Sequence, residues 1–235
     1  MVTFDLWNTL IADMDYDTPR VNALLQALTT HGVARDRDTV RAAYDAAHVY
    51  AHHRSLDEAY RHVSCEERLA YILQQLHVDL PLGAQQALIT AFEETILTAP
   101  PPLVPGAKEV LPALSPTYRL GIISDTGITP GRVLRRVLEA AQVLPFFGAT
   151  IFSDETGYNK PHRRMFDAAL AALGGTPATA LHIGDLLETD VTGARRMGMT
   201  SVWLNRGGST PPSHNVPGFE VATLSGLLTV LQALQ

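Results

Sequence analysis

One cysteine, Cys65, and two lysines, Lys108 and Lys160, are found among 235 residues. A single thiol makes neither an internal disulfide nor a paired-cysteine zinc framework, and this usage agrees with a reducing compartment. Positive charge is scarce too, with 18 Lys and Arg against 24 Asp and Glu and a net charge of -6. That balance argues against a broad phosphate-backbone footprint, so nucleic acid is not the expected partner. No run reaches the ~18 apolar residues of a membrane span. From Met1 the chain passes straight into an apolar strand pattern, without a basic region and cleavable apolar stretch. A soluble cytoplasmic protein with no membrane contact is therefore expected.

Apolar material is plentiful: 46% of residues are hydrophobic, enough for a sizeable core in one or two domains. Five short segments rich in β-branched or apolar residues read as buried strands, over residues 2–4, 120–123, 149–152, 180–183 and 200–204. Helical patterns lie between the later ones. Thr129 with Pro130 predicts an N-cap and first-turn proline, and Pro161 opens a helix through Met165, Phe166 and Leu170. Strand and helix alternate, which predicts an α/β fold with a doubly wound parallel sheet covered on both faces.

Residues 11–98 break this rhythm with nearly continuous helical periodicity. Thr18 with Pro19 opens one helix, and Ser64 with Glu67 forms a capping box for another with Leu69, Ile72, Leu73 and Leu76 on its inner face. Thr98 to Pro105, with four prolines, reads as a linker. The predicted organisation is a core of residues 1–10 and 99–235 with an all-helical insertion over 11–98.

In open parallel sheets ligands bind beyond the carboxyl ends of the strands. The residues there form a set: FDLWNTL with Asp5, SDTG with Ser124, YNKPHRRMF with Lys160, and GDLLETD with Asp185 and Asp190. Taken singly, each has a bland reading. Asp5, or Ser124 with Asp125, begins a turn; residues 184–190 form a loop with a helix cap; Lys160 is a solvated surface charge. Taken together and in this order, they resemble the four motifs of the haloacid dehalogenase-like hydrolase superfamily, and the insertion resembles its helical cap of the first type. The resemblance spans essentially the whole chain.

The resemblance implies a Rossmann-like core and a phosphatase of a small phosphorylated metabolite working through an aspartyl-phosphate. Asp5 would be the nucleophile. Magnesium would be held by Asp5, Asp185 and the backbone carbonyl of Trp7, with Asp190 supporting the site. Lys160 would neutralise charge beside the nucleophile, and Ser124, Asp125, Trp7 and Asn8 would meet the substrate.

One position departs from the pattern. Family phosphatases carry a second aspartate, a general acid and base, where this chain has Trp7. Loss of such a donor typically removes about 10²- to 10⁴-fold of rate for basic leaving groups. Three readings stay open: a phosphatase for good leaving groups, or one drawing its acid from His182 or a cap histidine; a metal-independent 2-haloacid dehalogenase, whose halide leaves without a proton; and a non-catalytic relative binding a phosphorylated ligand or a protein. A phosphonate-cleaving relative needs a cap lysine, and neither lysine lies within 11–98.

Specificity is expected in the insertion. His48 and His52 share a helix face with Asp45 one turn earlier, either to meet the substrate or as a polar solvated face. Arg20, Arg35, Arg37, Arg41, Arg54, Arg61 and Arg68 are candidate anion contacts, most of them surface charge. His182, within a strand, reads as a core histidine. Trp7 is either a bulky pocket wall or a platform for an aromatic substrate.

Overall fold

In the computed structural model, which describes residues 1–234, six strands form one sheet in the order β3-β2-β1-β4-β5-β6, every neighbour parallel. They are β1 (Val2–Phe4), β2 (Leu120–Ser124), β3 (Phe147–Phe152), β4 (Leu181–Gly184), β5 (Thr200–Leu204) and β6 (Phe219–Val221). The central strands β1, β2 and β4 are buried throughout, while edge strand β3 is largely half-exposed. That is why the central ones read as unbroken apolar runs. The edge strand β6 is an addition to the expected five.

Alternation along β2 sends neighbouring residues to opposite faces. Ile122 packs with Val110 and Leu111 of α5 (Ala107–Leu114), Val133 and Leu134 of α6 (Gly131–Ala140) and Leu227 of a C-terminal helix. Ile123 joins Met165 and Phe166 of the helix Arg163–Leu173 and Ala194 of the helix Thr192–Arg196. The sheet is thus covered on both faces, as expected of a doubly wound fold.

Four helices follow β1: α1 (Asp17–Thr30), α2 (Arg37–Asp57), α3 (Cys65–Leu76) and α4 (Leu82–Glu94). Their inward stripes, among them Leu24, Leu28, Tyr44, Leu69, Ile72 and Phe92, form a cluster of their own that Ile128 alone joins from outside. Each such leucine or isoleucine contributes roughly 1.5–3 kcal/mol by leaving water. The insertion is all-helical, with Leu69, Ile72, Leu73 and Leu76 buried as the pattern indicates.

Three helix starts differ from expectation, because residues other than the expected ones cap them. Asp15, not Thr18, accepts from the amides of Asp17 and Thr18 at 3.0 and 3.1 Å. Thr129 does not cap α6; Asp154 accepts the Gly131 amide across 23 positions, while the Thr129 hydroxyl accepts from Arg20 Nη2 at 2.9 Å. The helix expected at Pro161 begins at Arg163, with His162 Nδ1 accepting from the Arg164 amide. Ser64 does cap α3, but the Glu67 carboxylate turns to Arg61 and Tyr50 instead of closing the box.

Candidate active site

The strand order reverses between β1 and β4, the kind of point at which open α/β sheets bind ligands. Phe4 is in register with Ile183, and the Asp5 amide continues the ladder by donating to the Ile183 carbonyl at 2.8 Å. The nucleophile candidate is thus set beside Gly184 and Asp185 by sheet pairing alone. A tight turn follows, with the Leu10 and Ile11 amides returning to the Leu6 carbonyl and Asn8 at φ 53°, a left-handed conformation asparagine tolerates. The exposed Asn8 uses its side-chain oxygen to accept from the Asp13 amide at 3.1 Å.

Lys160 arrives from the segment after β3. Its amide donates to Asp125 Oδ1 at 2.8 Å, which ties it to the end of β2. Its ammonium reaches Asp5 Oδ1 at 2.5 Å and Asp190 Oδ1 at 2.7 Å. Asp190 stands on a single π-helical turn, Leu187–Val191, a geometry frequent at functional sites. Its second oxygen accepts the Leu186 amide at 3.1 Å, and His182 Nε2 lies 3.1 Å from the first. Burial pushes the His182 pKa down, against the pull of Asp190. The ring Nδ1 lies 3.0 Å from the Thr3 hydroxyl, which itself donates to the Leu181 carbonyl at 3.1 Å. Both ring nitrogens are engaged, so His182 is a buried positioning group.

Carboxylate oxygens of Asp5, Asp185 and Asp190 lie within 4.8 Å of one another, and Asp185 is only half-buried. Burial, reinforced by the neighbouring Asp190 and Asp185 charges, pushes Asp5 up to about 8 despite Lys160. Burial and Asp190 raise Asp185 to about 6. Burial also raises Asp125 to about 6, against the pull of Lys160. Asp190 goes the other way: burial opposes its charge, but Lys160 and the His182 hydrogen bond outweigh it. One ammonium thus faces three converging carboxylates. Two of them are reluctant to ionise, and an all-oxygen donor set of this kind fits a hard divalent cation such as magnesium.

Ser124 is buried at the end of β2, its hydroxyl donating to the Asp125 carbonyl at 3.2 Å. Trp7 is half-buried and lines a cavity of about 410 Å³ between the sheet edge and the helical insertion. Asp125 and Thr126 share its floor; Asp17, Arg20, His48 and Arg68 reach it from α1, α2 and α3. Of the two histidines considered together, only His48 faces this space. His52 is exposed, and Asp45 pairs with Arg41 on the surface. Asp17 was not foreseen. It accepts from the Tyr44 hydroxyl at 2.8 Å and stands 3.7 Å from His48 Nε2, and its only sequence signal is the Asp17–Arg20 spacing of one helical turn.

Comparison with known proteins agrees with this geometry: residues 1–198 match the haloacid dehalogenase-like hydrolase family, and the chain belongs to it. Within that family, it is 29% identical over 209 residues to the glyceraldehyde 3-phosphate phosphatase of Pyrococcus furiosus, covering 88% of this chain and 81% of that protein. The glyceraldehyde 3-phosphate phosphatase of Pyrococcus abyssi is 40% identical over 105 residues, a match spanning 44% of this chain and only 43% of that protein. Among solved structures, the 2-haloacid dehalogenase of Pseudomonas syringae shares the fold with a TM-score of 0.73 at 23% identity, over 100% of this chain and 98% of that one.

Proposed function

We propose that this chain is a magnesium-dependent phosphatase of a small phosphorylated metabolite, with residues 1–10 and 99–235 as catalytic core and 11–98 as a cap. The observation that carries this reading is the acidic cluster. Three carboxylates lie within 4.8 Å of one another and the Lys160 ammonium bonds two of them, a surplus of negative charge that suits a second cation and ill suits metal-free displacement of halide. Similarity to named phosphatases supports the same reading, whereas likeness to the dehalogenase extends to fold alone.

The chemistry follows from the groups present. An Asp5 oxygen attacks phosphorus, the phosphorus–oxygen bond to the leaving group breaks, and an aspartyl-phosphate forms. Lys160, fixed by Asp190, neutralises charge on Asp5 as the anionic substrate approaches. Magnesium held by Asp5, Asp185 and the Trp7 carbonyl, with Asp190 behind them, would supply further charge neutralisation at the phosphoryl oxygens. Ser124 and Asp125 border the phosphoryl position, with Trp7 and Asn8 on the adjoining turn. Water then attacks phosphorus, releasing phosphate and restoring the Asp5 carboxylate. Trp7 brings no proton, so the leaving group takes one from elsewhere, and His48 is the histidine on the cavity. Among the described residues no helix is long and apolar enough to cross a membrane. With one buried thiol, the cytoplasm is the compartment this reading fits.

The test is hydrolysis of para-nitrophenyl phosphate and of 2-chloropropionate, each with magnesium or with EDTA, by wild type and Asp5→Asn. Phosphate release that needs magnesium and drops by at least about 10³-fold in the variant is expected. Chloride release that survives EDTA would instead make the chain a dehalogenase.

A further inference from the structure

We propose that the cavity beneath the helical insertion recognises a carboxylate on the part of the substrate that is not transferred, and that Arg68 reads it. The inference rests on the phosphatase reading and names its substrate class: phosphorylated small carboxylic acids.

The argument is an inventory of hydrogen-bonding capacity in the cavity of about 410 Å³. Its acidic side chains away from the rim are already engaged. Asp17 accepts from Tyr44 and is flanked by Arg20 Nη1 at 3.6 Å and His48; Asp125 accepts from the Lys160 amide. Arg20 is nearly as occupied, with Nε on the Phe92 carbonyl at 3.0 Å and Nη2 on Thr129 at 2.9 Å. Arg68 differs. Its one hydrogen bond among the described residues runs from Nε to the Val63 carbonyl at 3.2 Å, and it forms no ion pair there. Burial pushes its guanidinium below the ordinary arginine value. Both terminal nitrogens of this half-buried guanidinium are without a protein partner among the described residues and are open to an anion that enters the cavity.

The chemistry of that anion follows. A planar fork of parallel N–H groups matches a carboxylate bidentately. A second phosphate would bring about two charges against one uncommitted cation, beside Asp13 and Asp17, and is the poorer fit. The same cavity is floored by Trp7 and Asp125, adjoining the nucleophile and Lys160, so a molecule with its phosphoryl group at Asp5 extends its other end toward α3. The volume lies near the small end of the usual range for ligand sites, which suits an acid of a few carbons.

The experiment measures affinity apart from turnover. Calorimetry on Asp5→Asn with magnesium compares 3-phosphoglycerate, glycerol 3-phosphate and propane-1,3-diyl bisphosphate. The carboxylate is expected to bind at least about 10-fold more tightly than the alcohol, and adding Arg68→Met should bring that ratio within about twofold. Arg68→Lys should restore only part of it, since a point charge lacks the fork. Thermal melts establish that each variant is folded. Equal affinity of acid and alcohol with Arg68 intact overturns the proposal, as does tighter binding of the bisphosphate or a preference that survives Arg68→Met. Wild-type hydrolysis of para-nitrophenyl phosphate, run alongside, tests the phosphatase reading separately. Hydrolysis without carboxylate preference removes the subsite and keeps the reading; preference without hydrolysis does the reverse.

Discussion

Two glycines under similar crowding separate a residue's part in the site from its part in packing. A methyl group at Gly184 would stand 2.2 Å from Asp190 Cγ; one at Gly193 would stand 2.3 Å from the Phe166 ring. Overpacking of this kind costs about 1–3 kcal/mol in either place. Only the first displaces the carboxylate that holds Lys160 against Asp5. Gly184→Ala should therefore lower kcat on para-nitrophenyl phosphate by about 10²-fold, the scale of a misplacement near 1 Å. Gly193→Ala should lower Tm by several degrees and leave kcat within about threefold. Steady-state rates and melting curves on the two proteins check this; equal loss of kcat would show the site to depend on general packing. At this scale the convergence of Asp5, Lys160, Asp185 and Asp190 at one sheet edge was legible, because apolar runs mark the strands they follow; their roles rest on the proposed function. Arg68 was legible only as one of seven arginines, and His48 only as one of a pair with His52. Which of seven arginines faces a cavity depends on how α3 meets the loop after β2, and no local pattern encodes that.

Elements were legible in kind and less so at their edges. The strands of the buried sheet declared themselves, but β6 is three residues, FEV, with a charged residue at its centre, and carries no periodicity to read. Helix starts slipped where caps are borrowed across the fold, as Asp154 lends its carboxylate to α6. Such long-range capping frees Thr129 to receive Arg20 from the insertion, so a local misreading marks a tertiary contact. The seam between α3 and α4 offers a reporter. Cys65 is buried at the start of α3 with its thiol 4.0 Å from the Ile89 carbonyl of α4. Burial pushes the thiol up to about 12, with Glu93 and Glu66 adding to the effect. The thiolate is the reactive species, so at pH 8 iodoacetamide should modify the native protein at least about 100-fold more slowly than the urea-unfolded chain. Fast modification of the folded protein would mean that α3 lifts from α4 far below the unfolding transition.

At the scale of the whole molecule, the insertion leaves and re-enters the core at almost one point. Ile11 pairs with Leu103 in an antiparallel bridge, the Ala12 amide donates to the Pro102 carbonyl at 2.9 Å, and the Val104 amide donates to the Leu10 carbonyl at 2.9 Å. Helical periodicity bounded by a proline run made the all-helical insertion legible, but not how the parts are joined. That junction is polar and local: Asn159 Nδ2 meets Ser55 Oγ at 3.0 Å, the Asn159 amide donates to the Tyr60 carbonyl at 2.7 Å, and the Ser153 hydroxyl lies 3.1 Å from His62 Nδ1. The apolar clusters hardly mix; Ile11, Tyr16 and Ile96 join the main core, and Ile128 joins the helical one. Replacing residues 13–100 by a short Gly-Ser turn should therefore leave the sheet and its two helical layers intact, since the ends are already paired and a short loop is cheap to close. The shortened protein should unfold cooperatively, with a lower Tm because Ile128 and Thr129 lose their partners. Asp5, Lys160, Asp185 and Asp190 all remain. Magnesium-dependent hydrolysis of para-nitrophenyl phosphate should persist at a reduced rate, because the water-excluding cover is gone. Discrimination between 3-phosphoglycerate and glycerol 3-phosphate should vanish, since Arg20, His48 and Arg68 leave with the helices. Circular dichroism melts and competition kinetics read both outcomes. A shortened chain that melts without cooperativity would show that the polar seam, and not only the apolar core, holds the sheet edge in place.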